Sequence, residues 1–306
     1  MSSGVKRHSV LRTRLSWPAL FLILPAMAAT AAAEDRLIVY VVNHPLKYFA
    51  ERIGAEHVAV EFPVPDGEDP AFWKPSAEMI GAYQRADLIL LNGASYAKWI
   101  STATLPRSRL VDTSREFSYQ LVAGENVTHS HGTSGAHAHG NFAFTTWLDL
   151  TQAAAQAKAV MEALARSRPQ FRASFEGNFE ALESELTALD SELQTMAGEA
   201  PSKPLLASHP VYQYLARRYD LNIMSLHWEP DRLPEASEWT RLAAMLERHP
   251  AKWMIWEQAP HAETVRRLNA EGIGSVVFSP SANRPERGDF MTIMRANVAN
   301  LRRALD

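Results

Sequence analysis

A chain of 306 residues with 46% hydrophobic and 21% charged side chains has globular composition and room for one large domain or two ordinary ones. A formal net charge of -3 gives no electrostatic footprint for nucleic acid, so no such partner is expected. The absence of cysteine excludes disulfides, zinc–thiolate sites and a thiol nucleophile, and it leaves no residue for a bacterial lipoprotein anchor.

Residues 1–33 read as a signal peptide. Lys6, Arg7, Arg12 and Arg14 form a positive start, residues 17–27 are apolar, and Ala31-Ala32-Ala33 is a small-residue cleavage site. The apolar run is too short to span a bilayer. The mature chain is therefore expected to begin near Glu34 in the periplasm, without a lipid anchor.

Residues 36–42 are a continuous apolar run, as expected of a strand buried on both faces. Asn43-His44-Pro45 ends it, and a helix follows over 46–53. Strands are predicted over 58–64, 88–91 and 109–112, with helices over 75–85 and 96–100 between them. This alternation points to a mostly parallel sheet with right-handed crossovers. Residues 124–140 break the pattern. They are small, polar and glycine-bearing, and carry His129-Ser130-His131 and His137-Ala138-His139. Two H-x-H pairs on such a loop are a metal-binding composition.

Residues 151–197 read as helix almost throughout, with Pro169 suited to a restart at a first-turn position. Phe171, Phe175, Phe179, Leu182, Leu186, Leu189, Leu193 and Met196 fall on one stripe. The expected fold is α/β: two lobes, each with a mostly parallel sheet, joined by one long rigid helix. The N-terminal lobe would span 34–150, the linking helix 151–198 and the C-terminal lobe 199–306.

The second lobe repeats the scheme, with strands over 204–207, 222–227, 253–256 and 274–278 and helices over 211–219, 239–249, 261–271 and 290–305. Ligands in open α/β sheets sit beyond the carboxyl ends of strands, so the cleft between the lobes is the expected site. Candidate metal ligands follow strands. They are His44 after the first, His209 after the first strand of the second lobe, His227 and Glu229 after the next, and Glu257 after the one following. Glu229 sits in a loop, where carboxylates are usually solvated. His57, His249 and His261 look like loop or helix-surface residues.

Val64-Pro65-Asp66-Gly67-Glu68-Asp69-Pro70, Trp147-Leu148-Asp149, Ser208-His209 with Tyr214-Leu215-Ala216-Arg217-Arg218-Tyr219, and Gly288-Asp289-Phe290 with Met294-Arg295-Ala296-Asn297 occur in this order. Together they resemble the zinc and manganese binding proteins of bacterial ABC importers, the ZnuA/TroA type. The resemblance covers nearly all of the mature chain. It implies two lobes joined by a long helix, a divalent ion as ligand (zinc first, manganese or another metal as alternatives), an ABC permease as partner and a monomer. It also implies that the loop before Trp147-Leu148-Asp149 captures metal. The family's four ligand positions fall at Ala71, Thr146 (with Thr145 before it), His209, and the segment after the last strand, Phe278-Ser279-Pro280-Ser281. Of these His209 alone can ligate well.

The expected site therefore combines His209 and Glu257 with His129, His131, His137 or His139, and with His227 and His44 as further candidates. Neutral imidazole and carboxylate are the donors zinc accepts in the absence of cysteine. Two other readings stand beside the transporter component. One is a metal chaperone or buffer. The other is a binder of a metal chelate, with Trp73, Trp147 and Trp228 lining a larger cleft. No H-E-x-x-H or G-x-S-x-G motif supports an enzyme.

Overall fold

The computed structural model describes residues 1, 2, 4, 36–124, 128–130, 136–138 and 142–306. The expected signal peptide lies almost wholly outside them.

The first sheet has four parallel strands, β1 (Leu37–Val41), β2 (Val58–Glu61), β3 (Leu88–Leu91) and β4 (Leu110–Asp112), in the order β2-β1-β3-β4. Helix α1 (His44–Gly54) connects β1 to β2, and α2 (Ala77–Arg85) connects β2 to β3. Asn43 caps α1, its side chain accepting the Leu46 N–H, and Ser76 caps α2 through the Met79 N–H. The run opening the sheet is less uniformly buried than its apolarity predicts. Leu37, Val39 and Val41 are buried, while Ile38 is 41% exposed beside Asp87, whose carboxylate accepts its N–H.

Within the segment read as a loop, two short strands pair antiparallel: β5 (Thr128–Ser130) and β6 (Ala136–Ala138), with His129 opposite His137. His131 and His139 lie outside the described residues.

The segment read as helix over 151–197, with a restart at Pro169, comprises α3 (Leu150–Ser167) and α4 (Arg172–Glu199), and α4 is the long helix between the lobes. Arg168 leaves helical geometry at φ -137° and ψ 73°. The proline that follows accounts for this, because its ring disfavours the α conformation in the residue before it. Pro169–Phe171 forms a 3₁₀ turn, and α4 then packs along α3 rather than extending it. The long linker is thus α4 alone, about 42 Å at 1.5 Å per residue. Its stripe is buried from Phe175 to Met196.

The second sheet contains β7 (Pro204–Ala207), β8 (Asn222–Ser225), β9 (Trp253–Trp256) and β10 (Gly274–Val277), all parallel, in the order β10-β9-β7-β8. Helices α5 (Gln213–Tyr219), α6 (Ala236–Leu246) and α7 (Ala262–Ala270) make its crossovers, and α8 (Phe290–Leu305) closes the chain. The order has the same form as in the first sheet, so the two lobes share one topology.

Helix α4 is anchored to both lobes. Asn178 donates to the Ile53 carbonyl at 3.0 Å, and Glu185 accepts from Arg52 of the first lobe and Arg295 of the second. Near its C-terminal end, buried Asp190 accepts from Arg218 and from the Tyr219 hydroxyl.

Candidate metal centre

In each sheet the first strand lies between the next two in sequence, so the chain turns to opposite sides at the carboxyl ends of β1 and β3 and of β7 and β9. Such switch points are where open α/β sheets bind ligands. Ser208-His209 follows β7, and Glu257 follows β9.

His209 is buried at 1% exposure. Its Nδ1 lies 3.0 Å from Glu257 Oε1 and its Nε2 3.5 Å from Glu229 Oε1. The His227 ring stands edge-on to it, with centroids 6.4 Å apart. Backbone bonds fix this arrangement. The Trp228 N–H donates to the Ser208 carbonyl at 2.8 Å, and the His261 N–H donates to the Pro230 carbonyl at 2.7 Å. Glu229 is therefore held between two anchored neighbours and is not the solvated loop carboxylate its position suggests, its side chain being 15% exposed. Burial alone would lower the His209 pKa, but Glu257 and Glu229 overcome this and lift it to about 10.

His44 is placed differently. It opens α1, is buried, and its Nδ1 meets Ser281 Oγ at 3.0 Å across the lobe seam. Burial drives its pKa down to about 4. His249, read as a helix-surface residue, is buried with Nε2 2.9 Å from the Leu205 carbonyl. Trp73, Trp147 and Trp228 are all buried, so none lines an open cleft. Trp147 instead donates across the seam to the Pro280 carbonyl at 2.7 Å.

The positions where the resemblance places the missing ligands are occupied by packing and hydrogen bonding. Ala71 is fully buried. Thr145 donates to the Val211 carbonyl of the second lobe at 2.5 Å, and Thr146 donates to Asn92 and Gln156 in a buried amide cluster. Ser279 is gripped by Asn297, which accepts its N–H at 2.8 Å and donates to its carbonyl at 2.7 Å. Beyond it, Asn283 donates to the Pro65 and Glu68 carbonyls, and Arg284 to those of Val64 and Phe62.

The stems of the histidine-bearing segment are fastened to each other and to α5, which follows His209 in the chain. Ala123 bridges Phe142, and the Ala143 N–H donates to the Val122 carbonyl. Tyr214 of α5 donates to the Ala143 carbonyl at 2.8 Å and accepts the Val122 N–H at 3.2 Å. A small pocket at this foot is lined by Gly124, Phe142, Thr145, Val211 and Gln213. Among the described residues, no three His, Asp or Glu side chains form a ready-made metal cage. The structure thus brings together His209, His227, Glu229 and Glu257, and sets the stems of the loop against Val211 and Tyr214, a few residues beyond His209 in the chain.

Two lobes of one topology, tied by a long helix and with an imidazole held between carboxylates at a switch point, define a two-lobed ligand-binding protein. The chain belongs to the ZnuA family: the family model described as "Zinc-uptake complex component A periplasmic" matches residues 39–304. It is 23% identical to the zinc-binding lipoprotein AdcA of Streptococcus pneumoniae, over 99% of this chain and 62% of that protein. It is likewise 23% identical to the high-affinity zinc uptake system protein ZnuA of Bacillus subtilis, over 94% of this chain and 98% of that protein. The chain thus spans about three fifths of the length of the streptococcal relatives and nearly all of the Bacillus one. The fold is similar to the crystal structure of Zn(II)-bound AdcA from Streptococcus pneumoniae, with a TM-score of 0.76 at 19% identity over 89% of this chain and 58% of that one.

Proposed function

We propose that this chain is a periplasmic substrate-binding protein that captures a divalent metal ion, zinc foremost, and delivers it to an ABC permease. The observation that carries this reading is the buried His209 imidazole held between Glu229 and Glu257, in a family whose relatives bear zinc-binding and zinc-uptake names. The working division is a cleaved signal peptide over 1–33, lobes over 34–150 and 199–306, and a linking segment between them. The chain acts as a monomer.

The second lobe supplies the anchor, His209 with its two carboxylates. His129, His131, His137 and His139 supply the remaining imidazoles, because the stems of their segment are fastened to α5 a few residues beyond His209. His227 is the next candidate by position and His44 the most remote, since Ser281 engages its ring. Zinc binds deprotonated donors, so capture displaces the proton that the carboxylates hold on His209. The burial of all three candidate tryptophans favours a bare ion over a bulky chelate.

The test is a competition titration of the purified mature chain against a chromogenic zinc chelator, with metal analysis of the loaded protein. One tightly held zinc per chain is expected. Failure to retain zinc, manganese or any other divalent ion would overturn the reading. Stimulation of a reconstituted permease ATPase by the loaded protein separates delivery from a buffering role.

A further inference from the structure

We infer that the two carboxylates flanking His209 have different tasks: Glu229 is a metal ligand, and Glu257 positions the imidazole. This rests on the metal-binding reading above and assigns roles within it.

Zinc bonds imidazole nitrogen at about 2.0–2.1 Å and carboxylate oxygen at about 2.0–2.2 Å, near the tetrahedral angle. Two such donors on one ion must then lie about 3.4 Å apart. His209 Nε2 and Glu229 Oε1 are 3.5 Å apart, long for a hydrogen bond but close to the spacing zinc requires. His209 Nδ1 and Glu257 Oε1 are 3.0 Å apart, the common N–H···O distance. An ion bridging that second pair would have its bond angle squeezed to about 93°, far from tetrahedral.

The division also fits the ordinary chemistry of metal-bound histidine. Such a ring coordinates through one nitrogen and donates the N–H of the other to a carboxylate, which fixes its tautomer and orientation. Glu257 takes the Nδ1 side, leaving Nε2 to face Glu229. Both carboxylates are mounted on rigid features. Glu257 follows β9 directly, in the strand next to β7, while Glu229 is flanked by the Trp228–Ser208 and Pro230–His261 backbone bonds.

The test compares Glu229→Gln and Glu257→Gln in the otherwise complete mature chain, using zinc competition titration and the visible spectrum of the cobalt(II)-substituted protein. The d–d bands of cobalt(II) report the atoms bound to the metal. Glu229→Gln is expected to weaken zinc by about a hundredfold or more and to alter the bands. Glu257→Gln is expected to weaken zinc by about 10–100-fold, as loss of an outer-shell partner does, while leaving the bands in place. Glu229→Asp, which keeps the carboxylate on a shorter arm, should fall between Glu229→Gln and the parent. Melting curves of the metal-free variants check that each is folded. Unchanged bands and affinity in Glu229→Gln, or bands altered by Glu257→Gln instead, would overturn the assignment. Failure of the parent chain to take up zinc or cobalt would instead remove the metal-binding reading itself.

Discussion

His209 and Glu257 leave adjacent parallel strands at their carboxyl ends and meet with Nδ1 3.0 Å from Oε1. They are far apart in sequence and adjacent because β9 pairs with β7, which makes the central β7–β9 pair of the second sheet the organising feature of the site.

Replacing His209 tests that feature most directly. His209→Ala should abolish tight zinc binding, since it removes the central donor and leaves Glu229 and Glu257 facing each other across a void. Isothermal titration should show a loss of at least about a thousandfold, well beyond the 10–100-fold expected for an outer-shell partner.

The elevated pKa of His209 sets a pH window. Its folded value of about 10 lies above the ordinary 6.5, so its charged pairing stabilises the metal-free protein fully below about pH 6.5. That contribution is lost as pH rises through about 10. The metal-free melting temperature should therefore fall across this range, and less steeply in His209→Asn. Zinc affinity should move the opposite way, strengthening with pH as the competing proton leaves.

His44 acts with the reverse sign. Its folded value of about 4 lies below the ordinary 6.5, so the buried neutral ring is compatible with folding above about pH 6.5. Stability should be lost as pH falls from there through about 4, to a limit of about 3 kcal/mol at 1.36 kcal/mol per pH unit. His44→Gln should flatten this acid limb in urea titrations between pH 7 and 4.

Removing residues 128–140 should weaken zinc sharply while leaving the melting temperature of the metal-free chain nearly unchanged. The stems meet at the Ala123–Phe142 bridge and are held by Tyr214, so a short closure can join them without disturbing the seam. Zinc affinity equal to that of the parent would show that the loop histidines serve capture alone.

Asp190→Ala should destabilise the metal-free protein by about 2–4 kcal/mol, because it leaves Arg218 with only the more distant Asp149 and the Tyr219 hydroxyl without its acceptor at the joint between α4 and α5. Thermal unfolding should register this as a drop of several degrees.

Local pattern located most of the elements. Strands β3, β7 and β9 and helix α8 fall where short apolar runs or a helical stripe mark them. The break at Arg168 was readable in part. Pro169 signals a new start, but whether the next helix continues the old axis or folds back depends on what its apolar stripe can bury. Here α3 and α4 bury their stripes against each other and against α1, so the chain doubles back. The exposure of Ile38 and the burial of His249 escaped the sequence because each depends on which neighbours cover that face.

The sequence by itself determined the α/β alternation, the two-lobed plan and the family motifs, and it singled out His209 as a candidate ligand. These are short-range signals, carried by side-chain period, proline and glycine placement, and residue order. Only the tertiary structure decided which donors meet. His209, Glu229 and Glu257 lie on three separate connections, and they converge because the sheet order places β7 between β8 and β9. It likewise decided that Trp147, His44 and the segment after β10 bind the lobes to each other. Both outcomes depend on strand pairing and lobe packing between residues distant in sequence, which no local pattern encodes.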